Sequence, residues 1–112
     1  MRKMILIVED NFLIALMLEQ MVAELGHRVL GPYLNLNDGY DHALQDAVDF
    51  ALLDFDLGEG TDTLPIAEVL TARRIPFAFV SGNDPVEIWH HIAGAEIISK
   101  PVTERELARL LA

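Results

Sequence analysis

The sequence predicts a doubly wound α/β fold built on a five-stranded parallel sheet, and three observations carry that expectation. The runs Ile5-Leu6-Ile7-Val8, Ala51-Leu52-Leu53 and Phe77-Ala78-Phe79-Val80 are apolar without alternation, the habit of strands buried on both faces of a parallel sheet. Segments of helical periodicity separate such runs, so that strand and helix alternate five times. The connections are short, which favours right-handed βαβ units wound on both sides of one sheet. The strand order expected is 2-1-3-4-5.

A strand over residues 4–8 opens the series, and a helix over 11–25 follows, with Gly26 placed as a C′ residue would be. Strand 28–33 leads to helix 38–47, and strand 50–53 to helix 64–74, where Pro65 suits a first helical turn and Pro76 stops the helix before the next strand. Strand 77–80, helix 85–93, strand 95–98 and helix 103–111 complete the alternation, with Gly94 closing the fourth helix. In the first helix Ile14, Met17, Leu18, Met21, Val22 and Leu25 fall on one arc and define the expected core face. Phe12, Leu16 and Ala23 cluster on the opposite side, either as a wide buried face or as a patch that docks a partner.

The length of 112 residues suits a single domain over 1–112 with one modest core, and no linker, repeat or low-complexity tract divides it. The chain ends at the fifth helix, so no output domain is expected. A hydrophobic content of 52% argues against disorder, and a formal charge of -10 argues against nonspecific nucleic-acid binding. The absence of cysteine excludes disulfides and thiolate metal sites and fits a reducing compartment, with the cytoplasm as default. Glu9-Asp10 interrupts the first apolar stretch too early for a signal-peptide core, and the stretch 12–18 is too short to cross a bilayer.

Chemistry is concentrated where the strands stop. Glu9 and Asp10 end the first strand, Asp54 the third, Ser81-Gly82 the fourth and Lys100-Pro101 the fifth. In an open α/β sheet ligands bind beyond the carboxyl ends of the strands, so these residues are expected to converge on one edge. Two unit charges ~4 Å apart repel by about 4 kcal/mol at an effective dielectric of 20, so three crowded carboxylates call for a cation or partial protonation. Oxygen donors without His or Cys favour Mg²⁺ over zinc. Asp54 is the expected nucleophile, Asp56 adds its backbone carbonyl to the metal shell, Lys100 supplies a point charge and Ser81 a hydroxyl donor for phosphoryl oxygens.

Together, Ile5-Leu6-Ile7-Val8-Glu9-Asp10-Asn11, Ala51-Leu52-Leu53-Asp54, Phe79-Val80-Ser81-Gly82 and Ser99-Lys100-Pro101 resemble the signature set of response-regulator receiver domains. The resemblance covers the whole chain and implies a flavodoxin/CheY-like (βα)5 fold. It implies that Asp54 accepts a phosphoryl group from a phosphohistidine, that Asp10 and Glu9 organise Mg²⁺, with Glu9 acting through water, and that Ser81 and Lys100 hold the phosphoryl oxygens. The implied donor is a histidine kinase or histidine phosphotransfer protein. Phosphorylation would then reorder the loops after strands three and four and alter binding of a downstream protein. Lys100-Pro101 is expected to be a cis peptide. A monomer or weak homodimer that promotes only its own phosphorylation and dephosphorylation is expected, without nucleic acid or membrane as partner.

The sequence also departs from that pattern. Three residues before the lysine, where many receivers carry a switching aromatic, stands Ile97. The stretch Pro76-Phe77-Ala78-Phe79-Val80-Ser81-Gly82 resembles a subgroup of short stand-alone receivers with a Thr-Gly-aromatic loop, yet Ser81 replaces the threonine and Asn83 stands at the aromatic position. Phe12 and Leu16 are the expected docking residues for a helical phosphodonor. His90 and His91 with Trp89 read as surface or partner-facing, His27, His42, Tyr33 and Tyr40 as ordinary, and Gly58-Glu59-Gly60 as a flexible loop giving the donor access. Two other readings remain: a haloacid-dehalogenase-like phosphohydrolase using Asp54 and Asp56, and a receiver-like binding module that is never phosphorylated.

Overall fold

Strand and helix alternate as expected in the computed structural model, which describes residues 2–82 and 84–112. The elements are β1 (Met4–Val8), α1 (Phe12–Glu24), β2 (Arg28–Tyr33), α2 (Leu36–Gln45), β3 (Phe50–Asp54), β4 (Asp56–Gly58), β5 (Thr61–Asp62), α3 (Leu64–Ala72), β6 (Phe77–Ser81), α4 (Pro85–Trp89), β7 (Ile97–Ser99) and α5 (Glu104–Leu110). Five strands form one parallel sheet in the order β2-β1-β3-β6-β7. With the β4-β5 hairpin set aside, this is the expected 2-1-3-4-5 order, and it makes the chain a CheY-like flavodoxin-type fold. Register aligns Leu6 with Ala51, Leu53 with Phe79 and Ser81 with Ser99.

The continuous apolar runs are buried on both faces because helices cover both. On one side Leu6, Val8, Leu53 and Phe79 pack with Ile66 and Leu70 of α3 and Ile88 of α4. On the other, Ile5, Ile7, Leu52 and Val80 pack with Leu18 and Val22 of α1 and Leu107 of α5. Gly39 lets α2 press onto β1: a Cβ there would come within 2.8 Å of Val8 Cγ2. Lys100-Pro101 is cis, as the resemblance implied, and so is Gly31-Pro32.

Several local expectations need correction. Of the expected core face of α1, Leu18 and Val22 are buried and Ile14, Met21 and Leu25 pack partly buried against the same core, but Met17, at the edge of that arc, is exposed, and Ala15, outside the expected set, is buried. Helix α2 starts two residues early, since the Asn35 side chain accepts from the Asp38 N–H at 2.8 Å and caps it there. The fourth helix ends at Trp89, so Gly94, at φ +73°, belongs to the turns beyond it and is no helix stop. The segment expected as a flexible loop is a paired hairpin, with Gly58, Glu59 and Gly60 at positive φ around its tip. The expectation placed on Asn83 falls outside the described residues.

Candidate functional site

The carboxyl ends of the sheet strands bring the expected residues together. Glu9 leaves β1 with its N–H bonded to Tyr33 O of β2 at 3.0 Å, and its side chain accepts from the Asn11 N–H at 3.1 Å through Oε2. Asn11 in turn caps α1 by accepting from the Ile14 N–H, so one short turn seats the acid and starts the helix. Glu9 is thereby fully buried, and Asp54 at the end of β3 is 5% exposed. Asp10 remains exposed at the rim. One carboxylate oxygen from each of Glu9, Asp10 and Asp54 lies within 4.8 Å of the others.

Lys100 reaches across this cluster from the strand at the sheet edge. Its Nζ lies 3.0 Å from Glu9 Oε1 and 3.3 Å from Asp54 Oδ1. The backbone around it is tied to the same edge, since the Lys100 N–H donates to Ser81 O at 2.9 Å. Ser81 itself closes β6 and is buried.

The charges do not balance. Burial, then hydrogen bonding and repulsion from Glu9 and a hydrogen bond with Asp10, push the Asp54 carboxyl up to about 8, against which Lys100 acts only in part. For Lys100, burial disfavours the ammonium, but hydrogen bonds and charges from Glu9 and Asp54 outweigh it, so its pKa stands above the ordinary value. Three carboxylates facing one ammonium therefore retain room, electrostatically, for a second cation. An all-oxygen donor set with one rim carboxylate suits a hard divalent ion. Among the described residues this is the one group of three or more His, Cys, Asp or Glu side chains that could hold a metal.

Other expected residues fall at or near this edge with different surroundings. The Asp56 carboxylate is exposed and accepts from the Gly58 N–H at 2.8 Å, turning into the β4-β5 hairpin and outside the acidic cluster. Ile97 is half-buried opposite Phe79, on the face covered by α3 and α4. Phe12 at 69% and Leu16 at 39% exposure flank a cleft of about 80 Å³ with Pro32 and Leu34, close to the acidic rim. Along the other side of α1, Ile14, Met17 and Met21 face Pro101 and Val102 across an apolar groove of about 310 Å³.

Three relationships were not legible in the sequence. Thr63 is fully buried, and its hydroxyl donates to Asp54 O at 2.9 Å. The signal the sequence carries for Thr63 is its position just before Leu64-Pro65, which suits a helix cap and no more. Phe55 packs edge-on against Phe79, with ring centroids 5.4 Å apart, and His91 lies 6.0 Å from Phe55. His91, read as a surface residue, thus touches the residue that follows Asp54, although it is itself exposed. His42, expected to be ordinary, stacks on Tyr33 at 4.2 Å and pairs with Asp46 at 2.7 Å. Among the described residues no helix is long and apolar enough to cross a membrane.

No protein-family model matches the sequence, and no curated protein matches it. Solved structures do. The solution structure of SdrG from Sphingomonas melonis Fr1 is 33% identical, with 98% of this chain and 93% of that one covered at a TM-score of 0.85. SdrG from Pseudomonas melonis Fr1 in its BeF3-activated conformation is also 33% identical, covering 96% and 92% at 0.81. The receiver domain of the sensor histidine kinase PA1611 from Pseudomonas aeruginosa PAO1, with a magnesium ion coordinated in its active-site cleft, is 26% identical and covers 99% and 95% at 0.83.

Proposed function

The chain belongs to the response-regulator receiver-domain family, and on that premise we propose that it is a signalling switch whose phosphoacceptor is Asp54. The observation that carries the reading is the Lys100 ammonium held between Glu9 and Asp54, beside Asp10, at the end of the sheet. A structural ion pair would need one acid; here two share one base, and a third carboxylate, Asp10, lies within 4.8 Å of them. The excess negative charge is what a site for a divalent cation and a phosphoryl group requires.

In the proposed reaction an Asp54 carboxylate oxygen attacks the phosphorus of a phosphohistidine in line. The new O–P bond forms as the P–N bond breaks, and the electron pair leaves with the imidazole nitrogen, which takes up a proton. Glu9, Asp10, Asp54 and the backbone carbonyl of Asp56 would hold Mg²⁺, with Glu9 acting through a water. The ion supplies charge neutralisation for the phosphoryl oxygens and favours the ionised form of Asp54. Lys100, already 3.3 Å from Asp54 Oδ1, moves its bond to a phosphoryl oxygen, and the Ser81 hydroxyl donates to another. The displacement of Ser81 reorders the loops after β3 and β6, which changes the surface offered to a downstream protein. Ile97 takes the position of the usual aromatic in that movement. The magnesium in the PA1611 cleft and the BeF3-activated state of SdrG support a reading in which this chain responds to the same two ligands.

Such a protein turns over only its own phosphoryl group. The donor is a histidine kinase or a histidine phosphotransfer protein, and the proposed setting is a cytoplasmic phosphorelay. Acetyl phosphate with Mg²⁺, followed by intact mass, tests the assignment. One phosphoryl group should add to the wild type and none to Asp54→Asn; uptake that persists in the variant would move the acceptor elsewhere.

A further inference from the structure

We infer that Thr63 is a positioning residue for the phosphoacceptor: its hydroxyl clamps the peptide that follows Asp54 and, with it, the base of the hairpin that carries Asp56. The inference rests on the reading of Asp54 as the acceptor and extends it to a residue outside the acidic cluster.

The peptide unit between Asp54 and Phe55 is held at both poles. Its carbonyl accepts from Thr63 Oγ1 at 2.9 Å, and its N–H donates to Val80 O of β6 at 3.2 Å. The next carbonyl, Phe55 O, accepts from the Thr63 N–H at 3.1 Å. One residue at the start of α3 therefore captures two successive carbonyls from the end of β3 and closes the loop between them. A strand end is ordinarily the place where the ladder stops and the backbone loosens. Here the plane that sets the direction of the Asp54 side chain is fixed from both sides.

The hydroxyl gives up another bond to do this. Thr63 is the N-cap residue of α3, where a threonine ordinarily accepts from an N–H of the first turn, yet no side-chain cap bond is present. Caps of this kind stabilise a helix by ~1 kcal/mol, so α3 starts without a contribution that its own sequence could have supplied. The bond to Asp54 O takes its place. Because Thr63 is fully buried, water cannot substitute for the hydroxyl if it is removed, and Asp54 O is left short of a partner.

Thr63 touches no reacting atom, so its effect should fall on the rate at saturating donor and leave donor capture unchanged. Acetyl phosphate labelling in saturating Mg²⁺ can be compared for the wild type, the isosteric Thr63→Val and the hydroxyl-retaining Thr63→Ser. Thr63→Val should lower the maximal rate about fivefold, the factor that one net hydrogen bond is worth, at unchanged half-saturation by donor. Thr63→Ser should restore it to within about twofold of the wild type on the same scale. A maximal rate in Thr63→Val equal to the wild type overturns the inference, and so does an equal loss in Val and Ser variants. If Thr63→Val does not melt cooperatively, Thr63→Ala against Thr63→Ser makes the same comparison.

Amide exchange in the metal-free protein decides the clamp without any labelling. Exchange of the Phe55 N–H should accelerate in Thr63→Val and return to the wild-type rate in Thr63→Ser; unchanged exchange in Thr63→Val overturns the clamp. A wild type that takes up no phosphoryl group refutes the acceptor reading, and Phe55 exchange still decides whether Thr63 holds the peptide.

Discussion

Lys100 Nζ lies closer to Glu9 Oε1, at 3.0 Å, than to Asp54 Oδ1, at 3.3 Å, although Asp54 is the residue that would receive the phosphoryl group. The fully buried Glu9 anchors the ammonium, and Asp54 shares it. An arrangement of that kind prevents the lysine from collapsing into a simple pair with Asp54. It also makes Lys100 a structural cation in the resting protein and a phosphoryl ligand in the proposed reaction.

Substituting Lys100 should therefore separate two effects. In Lys100→Met the Glu9 carboxylate loses its cation inside the protein, and breaking a buried pair from one side costs about 3 kcal/mol. Urea melts without metal should show that loss, and added Mg²⁺ should recover part of it by restoring positive charge near the cluster. Labelling by acetyl phosphate should fall at least tenfold even in Mg²⁺, because among the described residues no other ammonium pairs with Asp54; unchanged stability would mean that Glu9 is not held by this pair.

Asp54→Asn should stabilise the metal-free protein, and the gain should depend on pH. The unfolded carboxyl ionises near 3.8, whereas in the fold it stays protonated up to about 8. Across that window the folded state binds more protons than the unfolded one, so wild-type stability falls as pH rises. Asparagine removes the slope. Denaturant melts in a chelator should give nearly equal stabilities at a pH of about 4 and the largest advantage for Asn at a pH of about 8, and parallel curves would contradict the sign.

The exposed residues of α1 offer a test of the partner surface. Replacing Phe12 and Leu16 together with serine should slow transfer from a phosphorylated histidine phosphotransfer protein about tenfold or more, because apolar side chains at the centre of an interface dominate its energy. Acetyl phosphate labelling should stay within about twofold of wild type, since neither side chain belongs to the acidic cluster. Equal loss with both donors would show that the substitutions act on the fold.

Phe79 reports on the aromatic cluster behind the site. It is fully buried and meets Phe55 at 5.4 Å and Phe77 at 5.5 Å, both edge-on. Phe79→Ala should cost about 3–5 kcal/mol in denaturant melts, the range for an aromatic cavity in a packed core. Phe79→Leu should cost less, since more of the volume is kept.

The parts of the fold that follow from local pattern were legible: every sheet strand begins at its expected residue except β7, which starts at Ile97 where 95 was expected. The acidic and basic side chains of the site were legible for the same reason, since each ends an apolar run and the topology sends all strand ends to one edge. Thr63, the Phe55–His91 contact and the β4-β5 hairpin were not. Each depends on a pairing between segments whose separation in sequence carries no periodic signal. Met17 shows the complementary failure: it lies at the edge of the apolar arc of α1, and the packing leaves it exposed.

By itself the sequence determined which residues form strands, which carboxylates and which lysine terminate them, and that no cysteine chemistry is present. These are properties of composition, of unbroken apolar runs and of the helical period of 3.6 residues, readable within a short window. Only the tertiary structure decided that Glu9 is buried as the anchor of Lys100, that the proton of Asp54 is retained to about 8, and that a threonine before α3 grips the Asp54 carbonyl. The reason is that desolvation and hydrogen-bond geometry are set by what packs around a group, and in this fold the packing partners come from strands and helices far apart in the chain.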